Sequence, residues 1–282
     1  MLEPRRLAAR SVAARMAELK NENVGEQIGY RVRFETKIGR NTRIEVVTEG
    51  ILTRMLQNDN ALENVGLIIF DEFHERSLHA DLALALCRET QQILREDLRL
   101  VIMSATLDGD LLSALLNNAP IITSSGRQYP VSVKYFPPDM QLHLTQQVVV
   151  AIKKALQDEK GDLLVFLPGA GEIKRIADLL ENTTAGISIH PLYGDLPHRE
   201  QMEAIMPHTS GLRKIVLATS IAETSLTIEG IGVVIDSGYA RVPRFDPRSG
   251  LTRLETIRLS KDTADQRAGR AGRLGPGVCY RL

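Results

Sequence analysis

The chain has 282 residues, 43% hydrophobic and 25% charged, which excludes a disordered or fibrous protein and leaves room for two domains of ordinary size. Thirty-five basic residues balance thirty-five acidic ones, so the total charge gives no argument for a polyanionic partner. Cys87 and Cys279 are too few for a disulfide framework or a zinc site, and no apolar run approaches the ~20 residues of a spanning helix, so a cytoplasmic protein without a membrane partner is expected, a monomer by default.

In chain order, Arg5 and Arg6 lead into a mixed helix, and apolar runs of strand length then alternate with segments of helical period. Strands are predicted over 67–70, 100–103, 163–167, 214–218 and 232–235, and helices over 78–94, 111–116, 146–156, 172–180 and 200–206. This alternation is the pattern of a parallel α/β sheet covered by helices on both faces. Tyr129-Pro130 and Phe136-Pro137-Pro138 interrupt both periods and disfavour helix before each proline, dividing the chain into domains 1–130 and 131–282. Alternating segments over 239–245 and 251–259 flank Asp246-Pro247-Arg248-Ser249-Gly250, a hairpin signal. From residue 239 to the end, ten Lys/Arg face four Asp/Glu, a local excess that is either a solvated surface or a phosphate-binding one.

The strand over 67–70 ends in Asp71-Glu72. At the carboxyl end of a parallel strand, Asp71 can hold a hydrated Mg²⁺ while Glu72 orients the water that attacks a γ-phosphate; taken alone, the same pair reads as a helix cap. Ser104-Ala105-Thr106 follows another strand and offers two hydroxyls, which are also ordinary capping groups. Near the end, Arg267, Arg270 and Arg273 recur every third residue with Gly269 and Gly272 between them, which predicts guanidinium groups on one side of a closely approachable helix. Such a set can neutralise a transferring phosphoryl group.

These segments, together with Leu2-Glu3-Pro4-Arg5-Arg6-Leu7-Ala8-Ala9, Thr48-Glu49-Gly50, Asp71-Glu72-Phe73-His74, Phe166-Leu167-Pro168-Gly169, the run from Ala218 to Ile228 and Gln266 to Arg273, resemble the superfamily 2 helicases of the DEAH type over essentially the whole chain. Phe73 stands where the family usually has alanine. With Glu75-Arg76-Ser77-Leu78 and Phe245-Asp246-Pro247-Arg248-Ser249-Gly250, the pattern is similar to the bacterial HrpB group.

The resemblance implies two RecA-like parallel-sheet domains, the first incomplete at its N-terminus, forming an ATP-dependent motor on single-stranded RNA or DNA. It implies catalytic roles for Asp71, Glu72, His74, Gln266, Arg270 and Arg273, with Asp71 and Glu72 at Mg²⁺ and His74 bridging toward Gln266. It implies ATP contacts from Arg15, Ser104, Thr106, Thr227 and Glu229, Arg15 stacking on the adenine opposite Ile205. Nucleic-acid contacts are implied for Arg5, Thr48, Gly169, Thr219 and Ser220, the last standing where most relatives have asparagine. The hairpin is similar to the family's strand-separating element.

The loop G-x-x-x-x-G-K-[ST] occurs nowhere in the sequence. The resemblance therefore implies a chain that begins inside the first motor domain, with a strand missing beside 67–70, slow hydrolysis by the chain alone and a less stable amino-terminal half. A non-enzymatic nucleic-acid-binding scaffold, or a motor that never unwinds a duplex, stays open at this point.

Overall fold

A computed structural model describes residues 1–105, 109–124, 129–137, 141–181, 186–208, 210–223 and 228–282. The chain divides into two compact units, Met1–Ser124 and Ser125–Leu282.

The first unit runs β1 (Leu2–Glu3), α1 (Arg6–Leu19), β2 (Ile28–Val32), β3 (Glu35–Lys37), β4 (Ile44–Thr48), α2 (Glu49–Asn58), β5 (Leu67–Phe70), α3 (Leu78–Ile93), β6 (Arg99–Ile102) and α4 (Gly109–Leu115). Its six-stranded sheet has the order β3-β2-β4-β1-β5-β6, parallel except where β3 turns back on β2. Val46 and Val47 adjoin in β4 yet join different apolar clusters, because successive strand side chains point to opposite faces. On one face, Ala9, Ala13 and Ala17 recur one helical turn apart, and their small side chains let α1 lie close to Ile28, Tyr30 and Val46. On the other, α2 and α3 bury Leu52, Leu56, Leu84 and Cys87 against Ile68 and Phe70. Ser77 starts α3 by accepting a hydrogen bond from the Ala80 N–H at 2.9 Å.

The expectation of a missing neighbour beside β5 is corrected here. One side of β5 pairs fully with β6, and on the other Leu2 pairs with Phe70. The edges of the sheet are β3 and β6, and in β6 Val101 is 42% exposed. β1 reaches only the carboxyl end of β5, where Asp71 N–H donates to the Leu2 carbonyl at 3.1 Å.

The second unit runs β7 (Val131–Tyr135), α5 (Leu144–Asp158), β8 (Asp162–Phe166), α6 (Ala170–Glu181), β9 (Ile187–Leu192), α7 (His198–Ile205), β10 (Arg213–Ala218), β11 (Ile231–Asp236), β12 (Tyr239–Asp246), β13 (Leu251–Arg258), α8 (Lys261–Gly269) and β14 (Gly277–Arg281). Six strands form an all-parallel sheet in the order β7-β14-β11-β8-β10-β9. Its central strands are buried on both faces, so Leu163 to Phe166 and Ile215 to Ala218 read as continuous apolar runs rather than alternating ones. Pro191 sits in β9, an edge strand, where a missing N–H costs no ladder bond on the open side. β12 and β13 pair only with each other, as a separate antiparallel ribbon. No helix among the described residues is long and apolar enough to cross a membrane.

Candidate functional site

In the first unit, parallel pairing brings the carboxyl ends of several strands to one edge of the sheet, the usual ligand-binding edge of open α/β sheets. Glu3 pairs with Thr48 and Leu2 with Phe70, so Arg5, Thr48, Asp71, Glu72 and Ser104 all follow strand ends at that edge. Glu72 has φ 49° and ψ 34°, the left-handed region, which for a non-glycine residue costs about 1 kcal/mol or more and persists only where its surroundings hold it.

Those surroundings are visible. Asp71 Oδ1 accepts the Glu72 N–H at 2.8 Å, and Phe73 N–H donates to the Met103 carbonyl at 3.1 Å. Below the turn, Phe73 is buried edge-on to Phe70 with ring centres 6.1 Å apart, which gives the larger side chain at this position a packing role. His74 Nδ1 accepts the Ala105 N–H at 3.4 Å, which places the proton of the neutral ring on Nε2, 3.4 Å from Glu72 Oε2. His74 thus links the Ser104-Ala105 segment to Glu72 within its own unit.

Neighbouring bonds hold the other strand ends. Arg5, at the amino end of α1 where a cation is disfavoured, has an anion partner in Glu75 at 3.3 Å. Thr48 precedes α2 without its side chain capping that helix. Next to it, Glu49 Oε1 accepts from Ser77 Oγ at 2.7 Å, and burial pushes the Glu49 carboxyl above the usual range. This Glu49–Ser77 brace ties the Thr48 segment to the start of α3.

One residue of this edge escaped the sequence reading. Glu3 is fully buried, and neither of its carboxyl oxygens receives a hydrogen bond from a donor group. Burial, and after it the Asp71 carboxylate alongside, pushes its pKa up to about 8. Two ionised carboxylates have no proton to donate to each other and repel, so the protonated form of Glu3 is favoured beside Asp71. The available signal was a lone glutamate inside a two-residue buried strand, which a scan for apolar runs passes over.

In the second unit the structure separates the predicted residues. Gly169 follows β8, and Thr219 and Ser220 follow β10, at the carboxyl edge; Thr219 N–H donates to the Leu192 carbonyl at 3.1 Å. At Gly169 a Cβ would lie 2.4 Å from Arg241 Nη1, whose guanidinium crosses the glycine to reach Glu172 at 3.0 Å. Glu229 precedes β11 and Arg273 precedes β14, adjacent strands, so both sit at the amino edge. Lys214, fully buried at the start of β10, donates to the carbonyls of Ala204 at 3.1 Å and Met206 at 2.9 Å, closing the carboxyl end of α7. Burial lowers its pKa, while Asp162 and Glu229 counteract this.

The expectation that all three arginines sit on one helix is corrected: α8 ends at Gly269 and continues as a 3₁₀ turn over Arg270–Gly272, so Arg273 lies beyond the helix that carries Arg267. Arg267 is 0% exposed; its Nε donates to Glu223 at 2.6 Å, its Nη1 to Asp236 at 2.7 Å and to the Tyr239 carbonyl at 3.2 Å, and its guanidinium lies 4.7 Å from the Phe166 ring centre. Two carboxylates hold it in the interior, where it anchors α8. Arg270 is also buried and donates to the Glu223 carbonyl. Gln266 is half-buried, and Arg273 is exposed. Gly272 is required by close approach, since a Cβ there would lie 2.6 Å from the Tyr129 carbonyl oxygen.

Arg15 is on the outer side of α1, paired with Glu18 at 2.7 Å. Ile205 is buried at the end of α7. Thr106 and Thr227 lie outside the described residues. Cys87 and Cys279 are buried, and burial pushes both thiols up to about 12.

Comparison with known proteins adds an independent line. The DEAD/DEAH box helicase family matches residues 1–114, and the helicase conserved C-terminal domain matches residues 145–275. The chain is similar to the ATP-dependent RNA helicase HrpB of Escherichia coli strain K12, 56% identical over 283 residues, covering 100% of this chain and 35% of that protein. It is 44% identical over 284 residues to the ATP-dependent RNA helicase HrpA homolog of Haemophilus influenzae, covering 99% of this chain and 22% of that one. The crystal structure of Escherichia coli DEAH/RHA helicase HrpB matches with a TM-score of 0.93 at 56% identity, covering 100% of this chain and 36% of that one. The chain therefore spans about a third or less of the length of these relatives.

Proposed function

Because this chain belongs to the DEAD/DEAH box helicases, we propose that it forms motor lobes of an ATP-dependent helicase that moves on single-stranded nucleic acid. The names of its relatives make RNA the proposed strand. The observation that carries the reading is the acidic turn at the end of β5: Asp71 beside a left-handed Glu72 that His74 and Ala105 hold in place.

In this reading Glu72 orients and deprotonates the water that attacks the γ-phosphate. Asp71 supplies the carboxylate for Mg²⁺. The donor set fits that ion, since Mg²⁺ keeps several waters and takes only one or two protein carboxylates together with phosphate oxygens. When bound there, Mg²⁺ would supply positive charge against the negative charge that develops during phosphoryl transfer. Within the second unit, Arg273, Arg270 and Gln266 are assigned to nucleotide phosphates, and Glu229 to the nucleoside. Ser104, through the Ala105–His74–Glu72 chain, links hydrolysis to the strand-gripping residues Arg5 and Thr48. Gly169, Thr219 and Ser220 grip phosphates from the carboxyl edge of the second sheet, where backbone N–H groups and hydroxyls bind without reading bases.

The test supplies the phosphate cradle that this sequence does not contain. Fusing the chain behind a segment bearing G-x-x-x-x-G-K-[ST] should give ATP hydrolysis stimulated by single-stranded RNA, and Glu72→Gln in the fusion should reduce it by about 10² or more. A folded fusion that binds RNA and hydrolyses ATP equally well with and without Glu72 sinks the reading.

A further inference from the structure

The turn after β5 carries more than the residues that meet the nucleotide. A 3₁₀ turn over Phe73–Glu75 is flanked on both sides by left-handed residues, Glu72 at φ 49° and Arg76 at φ 45°. Neither is glycine, so each holds strain that only its surroundings maintain. The middle of the turn is pinned, with Phe73 buried edge-on to Phe70 and its N–H on the Met103 carbonyl. The far end makes two bonds that the chemistry at Asp71 and Glu72 does not require. Glu75 pairs with Arg5 at 3.3 Å, both side chains half-buried. Ser77 donates to Glu49 Oε1 at 2.7 Å while its own oxygen accepts the Ala80 N–H at 2.9 Å, so one hydroxyl both starts α3 and holds Glu49. Glu49 directly follows Thr48, whose side chain caps nothing. Arg5 is thus one bond, and Thr48 one residue and one bond, from the segment that holds Glu72.

We propose that Glu75 and Ser77 are positioning residues that couple the nucleotide turn to the strand grip, Glu75 by holding Arg5 and Ser77 by holding Glu49 beside Thr48. Neither touches nucleotide or strand. The chain from Ser104 through Ala105 and His74 ends at Glu72, on the near side of the turn. Glu75 and Ser77 carry the connection onward from its far side. Because Phe73 is fixed, a displacement at Asp71 and Glu72 is passed along the turn rather than absorbed in the core, and both grip residues receive it through short bonds. Arg5 need not leave Glu75 to meet a phosphate, since a guanidinium has five donors and Nη2 alone is on the carboxylate. The inference rests on the motor reading and deepens it by naming the residues that join its two sites in the first unit.

The experiment uses the full chain fused behind the phosphate-binding loop. Its affinity for labelled single-stranded oligouridine is measured by fluorescence anisotropy with and without a non-hydrolysable ATP analogue and Mg²⁺, and the ratio of the two affinities is the coupling. The unsubstituted fusion should show a ratio that departs from one by about tenfold, within the ordinary range for linked sites. Glu75→Ala and Ser77→Asp should each bring the ratio close to one, while affinity without nucleotide stays within about threefold, because neither residue contacts the strand. Ser77→Asp separates coupling from stability, since aspartate still caps α3 but loses the bond to Glu49. Folded variants that keep the full ratio overturn the inference. So does a Glu75→Ala protein that binds the strand more tightly at an unchanged ratio, which makes Glu75 a mask over Arg5 and nothing more. An unsubstituted fusion with a ratio of one and hydrolysis that depends on Glu72 overturns the coupling and leaves the motor reading in place. A folded fusion that neither binds the strand nor hydrolyses ATP overturns the motor reading itself, and the inference with it.

Discussion

The two units hold their candidate residues by different physical means. In the first, nucleotide and strand residues gather at one carboxyl edge, held by a strained left-handed Glu72, a buried carboxyl pair and a few bridging hydrogen bonds. Its apolar core is split by the sheet into two clusters, and its last strand, β6, is open. In the second, an all-parallel sheet separates the sets, with Gly169, Thr219 and Ser220 at one edge and Glu229 and Arg273 at the other. Here position is fixed by buried charge, with Arg267 between Glu223 and Asp236. Backbone strain leaves a unit adjustable, whereas a buried charge held between two carboxylates makes it rigid.

The largest effect that would sharpen this contrast lies at Arg267. Arg267→Ala leaves Glu223 and Asp236 without their cation, and should destabilise the second unit by about 3–5 kcal/mol while the first unit's urea transition stays put. A shared loss in both units would remove the claimed local role. Next in size, native-state hydrogen exchange should show amides of β10 protected about 10²-fold more than those of β6, because an open edge strand opens without global unfolding. Equal protection breaks the comparison.

Glu3 gives a pH signature confined to the first unit. Its folded pKa of about 8 lies above the ordinary glutamate value of 4.5, so the fold favours its protonated form. That stabilisation is complete below about pH 4.5 and is lost as pH rises through about 8. In Mg²⁺-free buffer the first unit's melting temperature should fall across this window, and Glu3→Gln should flatten the curve; an identical slope in the variant would clear Glu3 of the effect. The smallest expected change is at Glu72. Glycine relaxes a left-handed residue, so Glu72→Gly should stabilise the first unit by about 1 kcal/mol as hydrolysis in the loop-bearing fusion is lost. Destabilisation would mean the carboxylate contributes more through His74 than its backbone costs.

Several of these features were legible in one dimension because local chemistry and tertiary demand agree. The apolar run before Asp71-Glu72 folds as β5, and the proline-centred turn folds as the β12–β13 hairpin. The first follows from a short continuous apolar run and the second from a period of two and turn residues, neither of which needs a distant partner. Elements whose signal is short or mixed were passed over: β1 is a two-residue strand, β7 is mostly exposed, and β9 contains Pro191. Among the site residues, Asp71, Glu72 and Ser104 stand where a strand end had to put them. Arg267 looked like its neighbours Arg270 and Arg273 and proved to be an interior anchor, because the partners that decide its direction, Glu223 and Asp236, are 44 and 31 residues away.

Composition, periodicity and motif order thus determined by themselves that this chain is a pair of α/β lobes with an acidic strand end and an arginine-rich close. The tertiary structure alone decided which strands lie at the sheet edges, which arginine is buried, that Glu3 shares a buried site with Asp71, and that Glu75 and Ser77 reach Arg5 and Glu49. The reason is physical: hydrophobic period and turn chemistry act over a few residues, whereas burial, register and charge pairing depend on groups that only folding brings within a few ångströms.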